Sequence, residues 1–349
     1  MLFAMSTVAF SIGPISVHWY GIILGLAALT GLMLAVQEGK RFGIPSDFFM
    51  DMLLIGVPSA IIGARIYYVA FQWDDYKDNP ITALYIWQGG IAIYGALIGA
   101  IIGAGIYFKR KGYSFWRIAD ICAPGLIVGQ AIGRWGNFIN KEAHGGPVDA
   151  AFLSNNLHLP SWIVSQMQID GTYYHPTFLY ESLWNLVGLL LLFVLRRQRF
   201  LRAGELFLSY FVWYGIGRFF IEGLRTDSLG FTGPDWLAAF MNGLWSPMTL
   251  LGFIPGDMSM NGGNVRVSQM LALLFIIGAV ALMIIRRATG ASAEKYSDPI
   301  YRRGEALQQD AGAVGNAAGT PAGTAGNGKQ TAGTEHHSKE PDHDPNRTV

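Results

Sequence analysis

Gly133-Arg134-Trp135-Gly136-Asn137-Phe138-Ile139-Asn140-Lys141-Glu142 closes an apolar run that starts near Ala119. A run of that kind predicts a helix crossing a bilayer, and an arginine inside it needs an explanation, because a charge at membrane depth is costly unless paired or hydrated. Asn137 and Asn140 follow Arg134 by three and six residues, so a continuing helix puts all three on one face. Gly133 and Gly136 leave room for a backbone or ligand to approach. The result is a polar stripe beside glycine gaps at the end of a hydrophobic helix, suited to an anionic group arriving from the membrane surface. Spacing alone leaves open the plainer alternative, an arginine snorkelling to water.

The rest of the chain fits that setting. Of 349 residues, 51% are apolar and only 14% are charged, against roughly a quarter in soluble domains. Ten Trp and 15 Tyr supply the residues that gather at membrane boundaries. Cys122 is the single cysteine, which excludes an intrachain disulfide. Met1 to Ser16 holds no Lys or Arg, so the basic leader of a cleaved signal is missing and the first apolar run reads as an anchor. The expected fold is an all-α integral membrane protein.

Seven stretches approach the ~20 apolar residues that a spanning helix needs. They are Val17–Val36, Asp51–Phe71, Gly90–Phe108, Ala119–Asn137, Phe178–Leu195, Glu205–Glu222 and Gln269–Ile285. Basic clusters follow the first, third, fifth and seventh: Lys40 and Arg41; Lys109, Arg110, Lys111 and Arg117; Arg196, Arg197, Arg199 and Arg202; Arg286 and Arg287. All therefore share one side, which the positive-inside rule makes cytoplasmic. The N-terminus is predicted outside and the C-terminus inside, as an odd number of spans requires. Two long connections, Asn137–Pro176 and Gly223–Ser268, fall on the outer side and are too long to lack structure, so a small head is expected there. Gly95, Gly99 and Gly103, with Gly56, Ala60 and Ala64, mark close helix packing. Residues 1–288 form the expected membrane domain. Residues 289–349, nearly free of apolar side chains, are expected to be a disordered cytoplasmic tail in which His336, His337 and His343 are solvated.

A second polar constellation lies on the sixth span. Tyr214, Arg218, Glu222 and Arg225 form one stripe. Arg218 and Glu222 can pair with each other, yet the stripe reaches the same outer depth as Arg134. Two arginines on different helices at one depth are suited to a bidentate phosphate clamp. Tyr20, Tyr94, His175, Tyr180 and Glu181 collect toward the same side. Arg65 on the second span is either a third phosphate contact or a structural partner for Glu181 or Glu222. No His/Cys or His/Glu spacing makes a zinc site, no phosphate loop is present, and Cys122 reads as a small apolar residue rather than a nucleophile. Neither metal nor organic cofactor is expected, nor nucleic acid as partner.

The run from Gly133 to Gly145 resembles the signature of bacterial prolipoprotein diacylglyceryl transferases. Trp19-Tyr20-Gly21, Gln88-Gly89-Gly90 to Tyr94-Gly95, His175-Pro176-Thr177 to Glu181, and Tyr214-Gly215 with Arg218-Phe219 to Glu222 follow in that family's order, covering about residues 15–288. The resemblance implies seven membrane helices in a bacterial plasma (inner) membrane and an active site toward its outer face. It implies transfer of the diacylglyceryl group of phosphatidylglycerol to the lipobox cysteine thiol of a preprolipoprotein signal peptide, with glycerol 1-phosphate leaving. Partners would then be membrane lipids and these signal peptides. By resemblance the residues important for activity are Tyr20, Arg134, Asn137, Glu142, Gly145, Tyr214, Arg218 and Glu222. Asn140, His175, Glu181 and Arg65 join them as candidate substrate contacts. Tyr94 stands where many relatives carry a histidine proposed as base. An ordinary tyrosine, with a pKa of about 10, is a poor base for a thiol at about 8.5. Either Tyr94 positions the substrate or the base lies elsewhere. A small-molecule transporter is the alternative from another class, but it predicts internal repeats or broken helices at mid-membrane, and the sequence shows no repeat.

Overall fold

The structure, a computed structural model, describes residues 6–13, 15–256 and 263–301. Strands β1 (Val8–Ile12) and β2 (Ile15–His18) form an antiparallel hairpin leading into α1 (Trp19–Arg41), followed by α2 (Ser46–Phe71). Three short 3-10 turns over residues 73–88 connect to α3 (Ile93–Lys111) and then α4 (Phe115–Asn140). The next connection contains β3 (Pro147–Val148), α5 (Ser161–Gln166), β4 (Gln168–Ile169) and β5 (Thr172–Tyr174), with β5 central in a three-stranded sheet. Helices α6 (Thr177–Leu195) and α7 (Glu205–Glu222) come next, then β6 (Gly230–Phe231), α8 (Asp235–Trp245), α9 (Pro247–Leu250), β7 (Val265–Arg266) and α10 (Val267–Ala288).

Every predicted span is a helix. Three of them, α1, α3 and α10, extend a few residues past the apolar run at their basic C-terminal ends, because Lys and Arg there are good helix formers that favour the negative end of the helix dipole. Among the described residues, six helices (α1, α2, α3, α4, α6 and α10) are long and apolar enough to cross a membrane. Helix α7 has the length of a short span, but Glu205, Arg218 and Glu222 interrupt its apolarity. The two long connections fold at the opposite end from the basic clusters as a head of short strands and helices.

Helix α4 is the buried axis, packed on α1, α6 and α7, while α1 and α2 present long rows such as Leu24, Leu29, Met33, Leu54 and Ile62 outward. Backbones touch where glycines face each other. Gly31 of α1 meets Gly125 of α4, and a Cβ on Gly125 would lie 2.7 Å from Gly31 O. Gly95, Gly99 and Gly103 of α3 press on α2 as expected, but the receiving face is Ser59, Gly63 and Ala64. Of the expected α2 residues, Ala64 makes this contact while Gly56 has open space around it, and Ser59 and Gly63 complete the face. Helices α6 and α7 are clasped by two indoles stacked at 4.1 Å. Trp184 Nε1 donates to Trp213 O and Trp213 Nε1 donates to Trp184 O, each at 3.0 Å.

The basic end is closed by polar groups and by residues that follow α10. Asp120, fully buried in α4, accepts the backbone N–H of Gly204 and of Phe207 and so caps α7 from another helix. Arg117 donates to the carbonyls of Lys295 and Asp298, and Arg286 to those of Ala203 and Ala291 while lying over Trp116. Tyr296 is buried at 2% exposure, and its hydroxyl donates to Glu38 of α1 at 2.8 Å. The first residues of the expected tail, 289–301, thus form a strap across this end. Residues 302–349, with His336, His337 and His343, lie outside the described residues.

Candidate active site

The signature helix ends where the site begins. After Asn140, Lys141 and Ala143 take left-handed φ angles of 55° and 57°, a conformation that L-residues adopt at a cost. The turn folds Glu142 back on α4. Its Oε1 accepts from Asn137 Nδ2 at 2.9 Å and from Asn140 Nδ2 at 3.4 Å. Asn137 Oδ1 in turn accepts from Arg134 Nη1 at 3.2 Å, so the predicted one-face stripe forms.

Arg134 reaches further. Its Nη2 lies 2.5 Å from Oε1 of Glu181, a carboxylate only 3% exposed in the second turn of α6. The other oxygen of Glu181 is 3.8 Å from Nη1 of Arg218 on α7. Arg218 Nη2 is 2.7 Å from Glu222 Oε2, which is also 3.8 Å from Arg225 Nη1. Arg225 makes a two-pronged pair with Asp227, both contacts 2.8 Å. Burial alone would push the Asp227 carboxyl up, but the bonds from Arg225 hold it below its ordinary value. One continuous chain of charges therefore runs from Asn140 on α4, through α6, to the loop beyond α7. The two predicted clamp arginines meet at Glu181 rather than lying on separate surfaces. Their side chains remain 20% and 17% exposed, and Arg218 Nη1 is buried without a hydrogen-bond partner.

The other predicted residues divide. Tyr214 stacks on Tyr210 within the field of Glu181, Arg218 and Arg134. Tyr20 lays its ring on Gly136, where a Cβ would lie 2.6 Å from Cδ2, so the glycine gap receives an aromatic ring from α1. Gly145 is a crossing point. Its N–H donates to His175 O, and a Cβ there would lie 2.7 Å from His175 Cβ, so the loop after α4 passes between α6 and the end of α7 only without a side chain. His175 is buried in the head, where its Nδ1 pairs with Tyr180 Oη at 3.2 Å and it borders a cavity of about 480 Å³ with Phe152, Ile254 and Gly256. Burial lowers its pKa, which keeps the imidazole neutral.

Two expectations are not met in place. Arg65 pairs with neither Glu181 nor Glu222. Its guanidinium donates to the carbonyls of Ala83 (2.7 Å), Gly89 (2.7 Å), Gly90 (2.8 Å) and Thr82 (2.9 Å) and sits over the Tyr76 ring. It folds the connection before α3, and those donors are already taken. Tyr94 is half exposed and shares only a ring contact with Tyr67, apart from the charge network. Sequence reasoning missed Arg266, which is 6% exposed, donates to Gly256 O and feels the charge of Glu222. It lies in the two-residue strand β7, without helical period, and no pattern marked it.

A family model described as prolipoprotein diacylglyceryl transferase matches residues 7–285 of the chain. The chain is 49% identical over 294 residues to a phosphatidylglycerol–prolipoprotein diacylglyceryl transferase of Bacillus licheniformis, covering 84% of this chain and 97% of the relative. A Geobacillus kaustophilus protein of the same name is 49% identical over 287 residues, covering 82% and 94%. One from Bacillus cereus is 48% identical over 294 residues, covering 84% and 97%.

Proposed function

The chain belongs to the prolipoprotein diacylglyceryl transferase family, and on that premise we propose that it transfers diacylglyceryl from phosphatidylglycerol to the lipobox cysteine of a preprolipoprotein. The observation that carries the site assignment is the convergence of Arg134 and Arg218, from different helices, on one buried carboxylate with a guanidinium donor still unpartnered.

The headgroup phosphate binds between Arg134 and Arg218. The cysteine thiolate attacks the glycerol carbon that bears the phosphate ester. A C–S bond forms, the C–O bond to phosphate breaks, and its electron pair leaves on glycerol 1-phosphate. The guanidinium groups stabilise the charge that builds on the leaving oxygen in a site where water is scarce. Asn137 and Glu142 set the angle of Arg134; Glu222 sets that of Arg218. Tyr214 and Tyr20 border the headgroup, and Tyr94 orients substrate from outside the charge network.

In this reading α7 also crosses the membrane, as the sixth of seven spans, its charges compensated inside the bundle rather than facing lipid. The basic end is cytoplasmic and the head, with the charge network beneath it, faces outward in the bacterial plasma membrane. The test is direct. Purified protein in lipid nanodiscs is incubated with phosphatidylglycerol and a lipobox peptide, and the peptide is weighed by mass spectrometry. A diacylglyceryl adduct on the cysteine is expected; folded protein yielding none overturns the assignment.

A further inference from the structure

Glu181 occupies the gap in which the reading above puts the headgroup phosphate. Its two oxygens already face Arg134 and Arg218. Within the network the charges are matched, Arg134, Arg218, Arg225 and Arg266 against Glu142, Glu181, Glu222 and Asp227, while neighbouring Lys141 is turned to Gln168 O. An arriving phosphate therefore meets a like charge in its seat, and one of the two anions must yield.

The same helix offers a place to go. Asn185 lies one turn beyond Glu181 on the same face of α6, is fully buried, and has neither Nδ2 nor Oδ1 partnered. It stands between Ser182, which donates to Ala131 O of α4, and Gly188, against which Trp213 of α7 and Ile127 of α4 pack. Its side chain has no solvent-accessible surface there. A buried amide left unpaired is unfavourable, and such groups in native proteins call for a role. Residues four apart are neighbours on a helix, and the Cα–Cβ bond tilts toward its N-terminus, so Asn185 Cβ is directed toward the turn that carries Glu181.

We propose that Glu181 is a displaceable stand-in for the headgroup phosphate and that Asn185 is the positioning residue that receives it. Without lipid, Glu181 keeps the two guanidinium groups oriented and stops their mutual repulsion from opening the bundle. When phosphate arrives, its oxygens take Arg134 Nη2 and Arg218 Nη1, and the carboxylate turns to Asn185 Nδ2. After transfer the exchange reverses. Glycerol 1-phosphate is a monoester with more negative charge than the diester consumed, and the return of Glu181 to the arginines expels it. No covalent bond changes in the exchange. The proposal rests on the phosphate seat assigned above.

The experiment is a double-mutant cycle on the full chain in phosphatidylcholine nanodiscs, titrated with glycerol 1-phosphate by calorimetry. Removing the competitor with Glu181→Gln should tighten binding about tenfold, ~1.4 kcal/mol. In transfer assays the same variant should show a lower KM for phosphatidylglycerol together with a lower kcat, because product leaves slowly. Asn185→Leu should weaken glycerol 1-phosphate binding about tenfold in the native background and change it less than about twofold once Glu181→Gln is present. Asn185→Ala carries the same expectation if the leucine variant does not fold. Weaker binding by Glu181→Gln, or an Asn185 effect of equal size in both backgrounds, overturns the exchange. Native protein that binds glycerol 1-phosphate but transfers nothing would refute the enzymatic reading and leave the cycle to judge the exchange. Native protein that does not bind it at millimolar concentration would refute the seat and the exchange together.

Discussion

Both ends of the bundle carry arginine–carboxylate pairs, Arg287–Glu205 and Arg196–Glu38 at the basic end and Arg134–Glu181 and Arg218–Glu222 at the head end, but the basic end adds buried charges bound to backbone. At the basic end, Asp120 and Arg286 engage mainly backbone, the N–H groups that open α7 and the carbonyls of Ala203 and Ala291, and Arg117 likewise donates to two carbonyls. At the head end, Arg134, Arg218 and Arg225 engage carboxylate side chains. A backbone partner cannot leave without unfolding its element. A carboxylate on a rotatable chain can be exchanged for another anion. In the proposed reading, partner identity together with position beneath the head separates charges that hold the fold from charges open to a ligand. Arg65 obeys the rule: near the head end in sequence, it is bound to carbonyls and belongs with the structural group.

The largest expected effect tests the exchangeable end. Arg134→Lys keeps the charge but loses the two-pronged contact, and kcat/KM for transfer should fall about 100-fold, ~2.7 kcal/mol. Its melting temperature should stay close to that of the native protein. An unfolded variant would move Arg134 to the structural group. Asp120→Ala should do the reverse. It strands two buried N–H groups, so thermal unfolding in detergent should report a loss of about 2 kcal/mol or more. Activity per folded molecule should hold. Arg65→Met should open residues 73–90 to limited proteolysis while transfer falls less than about tenfold, since removal of a transition-state contact costs 100-fold or more. Tyr94→Phe sharpens the outer limit of the site. Loss of a general base costs about 100- to 10,000-fold, so a drop below tenfold assigns Tyr94 to positioning.

The smallest effect concerns pH. Burial holds the folded pKa of His175 below its unfolded value, so its contribution to stability is complete above the unfolded pKa, about 6.5, and is lost as pH falls toward the folded one. Melting temperature should decline between about pH 7 and 5, and less so in His175→Gln.

Much of this was legible in the sequence for identifiable reasons. Apolar run length located all seven long helices. Local spacing gave the Arg134–Asn137 contact and the Arg218–Glu222 pair, because both lie within one helix. What joins them, Glu181, was visible as a polar residue on the same side and a candidate substrate contact but not as the link, since a contact between helices depends on their rotation. The same blindness hid that Ser59 and Gly63 share the α2 packing face with the expected Ala64. Arg65 was misread because its partners are carbonyls of irregular turns, which every residue possesses and no sequence pattern marks. Tyr296 was missed because one aromatic in a polar segment does not reveal that a pocket among α1, α6 and α7 is waiting for it.

The crossed indoles of Trp184 and Trp213 set the mechanics of the site. Each ring is the donor to the other's backbone, so α6 cannot slide along α7 without rupturing both bonds at once. Glu181 and Arg218, a turn or so away on those two helices, are therefore mounted on one stiff rod. An incoming lipid thus meets Glu181 and Arg218 at a spacing that the two indoles hold fixed.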